Sequence, residues 1–135
     1  MRFVDTNVLL YSISTVGGEQ HKAERARSLL ESRDLALSVQ VLQEFYVQAT
    51  RATRSDRIDH DIATGLVESF QRFPTQVITP AVMTAALHSS RRFSISYWDA
   101  AIIEAARVLG CEEVLSEDLN AGQVYDGVTV VDPFA

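Results

Sequence analysis

The sequence has few of the features that mark secreted or membrane proteins. Only one of its 135 residues is a cysteine, Cys111, which excludes an intramolecular disulfide and a thiolate metal cluster and leaves Cys111 as a small packing residue. The N-terminal apolar run is too short for a signal peptide, and no stretch reaches the roughly 18 apolar residues of a transmembrane helix. With ordinary globular composition, residues 1–135 are expected to form one cytoplasmic domain without a membrane partner.

Basic residues are missing from the last part of the chain. The net charge is −6, and residues 1–110 hold twelve bases and twelve acids, whereas residues 111–135 hold six acids and no base. Nonspecific nucleic-acid binding depends on Lys and Arg that neutralise phosphates, so this charge distribution does not favour it. A site that handles phosphates here would need a cation from solution.

Short apolar strands alternate with helical patterns along the chain. The predicted strands cover residues 2–5, 35–38, 76–78, 114–115 and 128–131. The predicted helices cover residues 8–11, 19–32, 41–49, 59–73, 80–90 and 96–109. This alternation indicates the α/β class, as a three-layer α/β/α domain with a short parallel sheet of about five strands. Such sheets bind ligands at the carboxyl ends of their strands, near the point where strand order reverses.

Four acids fall where predicted strands end or helices begin. Asp5 ends the first strand, and Asp118 follows the fourth. Asp99 lies in the first turn of its helix, and Glu44 lies in the helix after the second strand. Parallel topology brings these strand ends to one edge of the sheet, so the four side chains can converge.

Converging carboxylates would repel one another strongly. Two of them 4 Å apart repel by about 4 kcal/mol at an effective dielectric of 20, so such a cluster takes up protons or binds a cation. Oxygen ligands select hard ions, which favours Mg²⁺ or Mn²⁺. A hydrated divalent ion can activate water and stabilise charge on a phosphate, so the predicted chemistry is metal-assisted phosphodiester hydrolysis.

Each acid taken singly also fits a structural role. Asp5 could be a helix N-cap, Asp99 forms a capping-box pattern with Ser96, Glu44 could lie on a solvated face, and Asp118 could belong to an ordinary turn. Four acids at corresponding junctions are harder to explain in this way.

These motifs together resemble the PIN-domain ribonucleases, and within them the VapC toxins of bacterial toxin–antitoxin pairs. The resemblance runs over essentially the whole chain and rests on Asp5-Thr6-Asn7, Glu44, Tyr97-Trp98-Asp99-Ala100-Ala101-Ile102, Leu115-Ser116-Glu117-Asp118-Leu119 and Asp132-Pro133-Phe134. The Asp-Thr-Asn start is moderately specific. Its combination with the other two long segments, in this order, is highly specific.

The resemblance implies an endoribonuclease dependent on Mg²⁺ or Mn²⁺ that acts on single-stranded or looped RNA. It implies a quartet of acidic catalytic residues: Asp5, Glu44, Asp99 and Asp118. The three aspartates would be metal ligands, and Glu44 would act through a second ion or a water. Supporting hydrogen bonds are expected from Thr6, Asn7 and Ser116. Glu117 has lower weight, because successive residues normally point apart. A cognate VapB-like antitoxin that covers the acidic groove and a homodimer are implied as partners.

The RNA must still approach an acidic centre. Arginines that precede or follow the acid-bearing helices are candidate phosphate contacts, and a solvated face or salt bridges explain them equally well: Arg51, Arg54, Arg91 and Arg92. Trp98 is expected to be a core or dimer-interface residue rather than a base-stacking platform. The three histidines are expected on the surface: His21, His60 and His88.

Two other functions compete with the nuclease prediction. An aspartyl-phosphate phosphatase needs a second Asp two residues after the first, where this chain has Asn7, and its single lysine, Lys22, is poorly placed for phosphate. A catalytically silent PIN-like module that only binds a partner protein is the alternative. Such a module would have no need for mutually repelling acids.

Overall fold

The computed structural model describes all residues from Met1 to Ala135. Its six helices are α1 (Thr6–Ser12), α2 (Gln20–Leu30), α3 (Val39–Ala49), α4 (His60–Phe70), α5 (Pro80–Phe93) and α6 (Tyr97–Val108). Its six strands are β1 (Arg2–Val4), β2 (Leu35–Ser38), β3 (Thr75–Gln76), β4 (Glu113–Leu115), β5 (Val124–Tyr125) and β6 (Val128–Val131). No helix has the length and apolar character needed to cross a membrane.

The strands form one sheet in the order β3-β2-β1-β4-β6-β5, and every pairing except β5 with β6 is parallel. Successive crossovers from β1 to β2 and from β2 to β3 lead in one direction, whereas the crossover from β3 to β4 leads back. Since such crossovers are right-handed, α1 to α4 cover one face and α5 and α6 cover the other. The predicted α/β class and its three layers are confirmed.

The sheet has six strands instead of about five, because the short strand β5 was not predicted. It pairs antiparallel with β6 through a turn in which Asp126 and Gly127 have φ angles of 49° and 85°. An Asp-Gly pair that precedes a β-branched run is a hairpin signal, since both residues tolerate positive φ. The sequence therefore contained the evidence for this strand.

The third strand is shorter than predicted. It pairs only through Thr75 and Gln76, while Val77 and Ile78 are 58% and 62% exposed. An edge strand has one neighbour, and here that neighbour ends at Ser38, so nothing holds the two apolar residues in the sheet. They instead lead to Thr79, which caps α5.

The core lies between the sheet and the helices. The largest fully buried side chains come from strands and helices alike, including Phe3, Leu37, Phe45, Ile103 and Val114. Cys111 packs in this core, as predicted, and the three histidines are exposed, also as predicted. This packing fixes β1 and β4 side by side, at the point where strand order reverses.

Candidate active site

Asp5 lies at the carboxyl end of β1, where the central strand turns into α1. Its backbone N–H donates to the Leu115 carbonyl of β4 at 3.0 Å, so the two strand ends meet here. Its carboxylate accepts hydrogen bonds from the Thr6 N–H and the Ser116 hydroxyl, both at 2.7 Å. Asp5 is therefore the N-cap of α1, and it is 7% exposed.

The segment after β4 is fastened to Asp5 by two polar side chains. The Asn7 amide donates to Ser116 Oγ at 3.0 Å and to Asp118 Oδ2 at 3.2 Å. Ser116 Oγ also accepts from the Asp118 backbone N–H at 3.1 Å. Asp118 is thus held beside Asp5 through hydrogen bonds of Asn7 and Ser116.

Glu44 reaches the same region from α3. Its two carboxylate oxygens accept hydrogen bonds from the Thr6 hydroxyl at 2.7 Å and from the Gln40 amide at 2.8 Å. The Gln40 amide also donates to the Trp98 carbonyl at 3.2 Å, which joins α3 to the start of α6. Gln40 was not singled out in the sequence, although its spacing of four residues from Glu44 on a helix could have indicated the contact.

Asp99 lies in the first turn of α6, whose N-cap is Ser96. The Ser96 hydroxyl accepts a hydrogen bond from the Asp99 backbone N–H at 3.1 Å, so the capping pattern in the sequence is real. The cap positions the helix, and the half-buried Asp99 side chain faces the other acids.

A single cavity of about 100 Å³ brings the four acids together. Its lining consists of the four predicted acids and six further residues: Asp5, Thr6, Asn7, Leu10, Glu44, Gln48, Trp98, Asp99, Ile102 and Asp118. The expected convergence of side chains from both ends of the chain therefore occurs. The acids converge because the carboxyl ends of the parallel strands meet at one edge of the sheet, at the point where strand order reverses.

Burial opposes the ionisation of two of these acids, Asp5 and Asp99. Burial raises the pKa of Asp5 to about 6, against hydrogen bonds from Ser116 and Thr6, and the charges of Glu44 and Asp118 add to the rise. Burial likewise raises the pKa of Asp99, to which Asp118 and Glu44 contribute. The cavity lining includes no basic side chain, so no cation of the protein lines the cavity to compensate the charge of these acids once they ionise.

The donor set fits a hydrated hard cation. No three of the acidic, histidine or cysteine side chains are drawn together closely enough to hold an ion on their own. Mg²⁺ commonly keeps several waters and contacts only one or two carboxylates, so a small cavity lined by carboxylates and amides suits it. Asp5, Asp99 and Asp118 are the side chains that could hold such an ion, directly or through water.

Glu117 has a different role from its neighbour Asp118. It accepts hydrogen bonds from the Tyr11 hydroxyl and from Lys22 Nζ, the latter at 2.7 Å. Although burial opposes it, the hydrogen bonds from Lys22 and Tyr11 lower the pKa of Glu117. Its backbone N–H donates to Asn7 Oδ1 at 3.2 Å. Glu117 therefore anchors the segment that carries Asp118, a network that no spacing in the sequence indicated.

The four candidate arginines occupy different places. Arg54 forms an ion pair with Asp56 at 2.9 Å and lines a cavity of about 390 Å³ that adjoins the acidic one at Asn7 and Asp118. Arg51 and Arg91 are exposed. Arg92 pairs with Asp126, in the turn before β6, which lies at the amino ends of the strands and away from the acids. Of the four, only Arg54 adjoins the acidic cavity.

Trp98 was predicted to be a core or dimer-interface residue, and its placement in the core is wrong. Its side chain is 64% exposed and lines the mouth of the acidic cavity. The capping turn of α6 points this residue outward while the following alanines pack inward.

Comparison with known proteins agrees with this architecture. Similar solved structures include a toxin–antitoxin complex from Klebsiella pneumoniae (18% identity, 98% of both chains, TM-score 0.73) and the Sarcin-Ricin loop cleaving toxin VapC20 from Mycobacterium tuberculosis (18% identity, 93% of this chain and 98% of that chain, TM-score 0.71). DNA-bound VapBC from Salmonella typhimurium is also similar (17% identity, 98% and 97%, TM-score 0.67).

These likenesses concern the fold. A search of curated proteins found no match. The family profile described as the PIN domain matches residues 2–127, which include every acid of the cavity. The chain therefore belongs to the PIN domain family.

Proposed function

We propose that this protein is a metal-dependent endoribonuclease that hydrolyses phosphodiester bonds of single-stranded or looped RNA. The observation that carries the proposal is the common cavity of Asp5, Glu44, Asp99 and Asp118 at the switch point of the sheet. Membership of the PIN domain family supports a nuclease. The uncompensated negative charge of the cavity supports dependence on Mg²⁺ or Mn²⁺.

The side chains of the cavity divide into ligands and supports. Asp5, Asp99 and Asp118 would hold the metal ion, and Glu44 would act through water or a second ion. When bound, the ion supplies a polarised water and charge stabilisation at the phosphate. Thr6 and Gln40 hold both oxygens of Glu44 in place, which leaves its carboxylate oriented towards the cavity.

Asn7 and Ser116 set the spacing of the other carboxylates. Each contacts both Asp5 and the Asp118 segment, so the two acids cannot relax apart when their charges repel. Ser116 keeps one Asp5 oxygen occupied, and the Thr6 N–H occupies the other. A cation would therefore meet a carboxylate whose orientation is already fixed, which reduces the entropy lost on binding.

We further propose that the protein acts as the toxin of a toxin–antitoxin pair in the cytoplasm, with a VapB-like antitoxin as protein partner and a homodimer as its assembly. Support comes from the similar structures, which include a toxin–antitoxin complex, the toxin VapC20 and a DNA-bound VapBC. In such a pair the acidic cavity is the surface that the antitoxin would cover.

The test is cleavage of a looped RNA with Mg²⁺ or Mn²⁺ and with chelator. We expect cleavage only with the metal, and a loss of at least about 100-fold in Asp5→Asn, because the metal lowers the activation barrier by several kcal/mol. The matched control is Asp61→Asn, which makes the same change at an exposed position in the first turn of α4.

Two results would contradict the proposal. Cleavage that persists in chelator, or an Asp5→Asn variant as active as Asp61→Asn, would remove the metal role from this cavity. A wild-type chain that binds an antitoxin but cleaves no RNA with either metal would favour a silent interaction module.

A further inference from the structure

Trp98 is the only exposed aromatic residue of the chain. All six phenylalanines and four tyrosines are buried or half-buried, whereas Trp98 is 64% exposed. A tryptophan buries more apolar area than any other side chain when it can, so leaving one in solvent forgoes considerable stabilisation. Among the aromatic and cation–π contacts of the chain, the ring has one partner, Tyr97, with which it packs edge to face at 5.0 Å.

The backbone around this ring is fixed in three ways. Ser96, two residues before Trp98, caps the helix, and the Tyr97 ring contacts the Trp98 ring at an interplanar angle of 81°. The carbonyl of Trp98 accepts a hydrogen bond from Gln40, whose amide also holds Glu44. The exposed ring therefore has a defined position relative to the acidic cavity that it lines, and its neighbour in sequence is Asp99.

We propose that Trp98 is a stacking platform for a nucleobase of the RNA whose backbone enters the acidic cavity. This inference rests on the proposed ribonuclease function and deepens it by assigning a binding residue for the base. Stacking on an aromatic ring is tolerant of sequence because every base has a π face. The platform would place the nucleotide that flanks the scissile phosphate.

The charge of the site explains why such a platform is useful. Four carboxylates repel a phosphate backbone, and of the candidate arginines only Arg54, already paired with Asp56, adjoins the cavity. Stacking attracts the base without relying on charge, so it can hold RNA against this repulsion. Removing the ring should therefore weaken binding by the same factor at low and high salt, unlike removal of a phosphate contact.

The single tryptophan makes the proposal directly measurable. In an Asp5→Asn background with Mg²⁺, which prevents cleavage and leaves the ring in place, a short single-stranded RNA should quench the intrinsic fluorescence in a saturable way. An oligonucleotide of the same length with abasic sugars is the control, because it presents phosphates without bases. Equal quenching by both, or by neither, would overturn the proposal.

Substitution gives the second measurement. In the same background, Trp98→Ala should raise the Kd for the short RNA about 5- to 150-fold, the range expected for one stacked base, while Trp98→Phe keeps most of the affinity. The matched control is Val108→Ala, which removes an equally exposed apolar side chain from the other end of α6 and should leave the Kd unchanged.

The outcomes separate this proposal from the one on which it rests. If wild type cleaves RNA but Trp98→Ala binds RNA as Val108→Ala does, the platform is wrong and the nuclease stands. If Trp98→Ala instead turns a dimer into a monomer in sedimentation and the RNA Kd per protomer is unchanged, the ring belongs to an interface between copies and the platform is again wrong. If wild type neither binds nor cleaves RNA, both proposals fail.

Discussion

Two carboxylates of this chain, Asp5 and Glu104, are equally buried, and their surroundings are opposite. Each is 7% exposed. Both carboxylate oxygens of Glu104 on α6 accept a hydrogen bond from Arg107 Nε, at 3.1 Å each. Asp5 receives hydrogen bonds only from neutral donors and faces three further acids across the cavity.

Glu104 is a buried carboxylate with a cationic partner, whereas Asp5 is a buried carboxylate without one, and its charge therefore destabilises the fold. A buried ion pair satisfies its charge inside the protein, and Arg107 extends this role by donating to the carbonyls of Tyr125 and Asp126 in the β5–β6 hairpin. Asp5 has its pKa raised by burial and by like charges, the situation typical of a functional site. Four tests examine this contrast through the stability of the fold, and a fifth examines the margin of the cavity.

The largest effect is expected from breaking the paired site. Arg107→Met leaves Glu104 buried without its partner and removes two hydrogen bonds to the hairpin, so we expect a loss of about 3 to 5 kcal/mol in the free energy of unfolding, measured by urea denaturation. The control Arg91→Met makes the same change at an exposed position on α5 and should cost less than about 0.5 kcal/mol.

A double variant checks the mechanism of this loss. Adding Glu104→Leu to Arg107→Met replaces the orphaned carboxylate by an apolar side chain, which should recover part of the stability. If the double variant is less stable than Arg107→Met, the loss comes from the hairpin contacts alone and the comparison with Asp5 fails.

At Asp5, by contrast, removing the carboxylate is expected to stabilise the fold. In metal-free buffer at pH 7, Asp5→Asn should raise the free energy of unfolding by about 1 to 3 kcal/mol. The substitution removes a buried carboxylate whose ionisation the fold disfavours, as its raised pKa of about 6 indicates. Asn is also a good N-cap, so α1 keeps its start. Thermal unfolding with calorimetry would measure the gain.

The pH dependence has a definite direction. Between about pH 4 and pH 6, Asp5 is protonated in the folded state, where its pKa is about 6, but ionised in the unfolded state, where its pKa has the ordinary value of 3.8. The stabilising contribution of protonated Asp5 is therefore complete below about pH 4 and is lost as the pH rises through about 6. The advantage of Asp5→Asn should grow over this range. A constant difference between pH 4 and 7 would contradict the raised pKa.

The same contrast shows how far the sequence could lead. The acids could be predicted because strand ends of a parallel sheet meet at one edge, and because Asp5-Thr6-Asn7 and the segment around Asp99 carry recognisable motifs. The alternation of strands and helices likewise predicted the layers. These are local or topological signals, which a single sequence contains.

Contacts between distant surface side chains carry no such signal. Lys22 lies 95 residues from Glu117, and Arg107 reaches carbonyls 18 and 19 residues away, so neither pairing has a spacing that marks it. The exposure of a side chain is equally hard to read from the sequence: Trp98 was expected in the core or at a dimer interface, yet at the start of α6 its ring is 64% exposed. Arg92 was grouped with the site by its charge, although its partner Asp126 lies at the other edge of the sheet.

A smaller change in the free energy of unfolding is expected when a cation compensates the buried charge of Asp5. Mg²⁺ at ten times its Kd should stabilise wild type by about 1.4 kcal/mol, since it binds only the folded chain. Asp5→Asn should gain clearly less, and Arg91→Met should gain as much as wild type. Equal stabilisation of wild type and Asp5→Asn in differential scanning calorimetry would mean that the ion binds elsewhere.

The smallest effect is expected at the margin of the cavity, where Asp99 is only half-buried. Asp99→Asn relieves repulsion from Asp118 and Glu44 but removes a negative charge from the first turn of α6, where the helix dipole favours it. These contributions oppose each other, so the free energy of unfolding in metal-free buffer should stay within about 0.5 kcal/mol or rise slightly. Ser96→Ala, which removes the cap itself, should cost about 1 kcal/mol. If Asp99→Asn loses as much stability as Ser96→Ala, Asp99 serves the helix more than the cavity, and the site would rest on the remaining three acids.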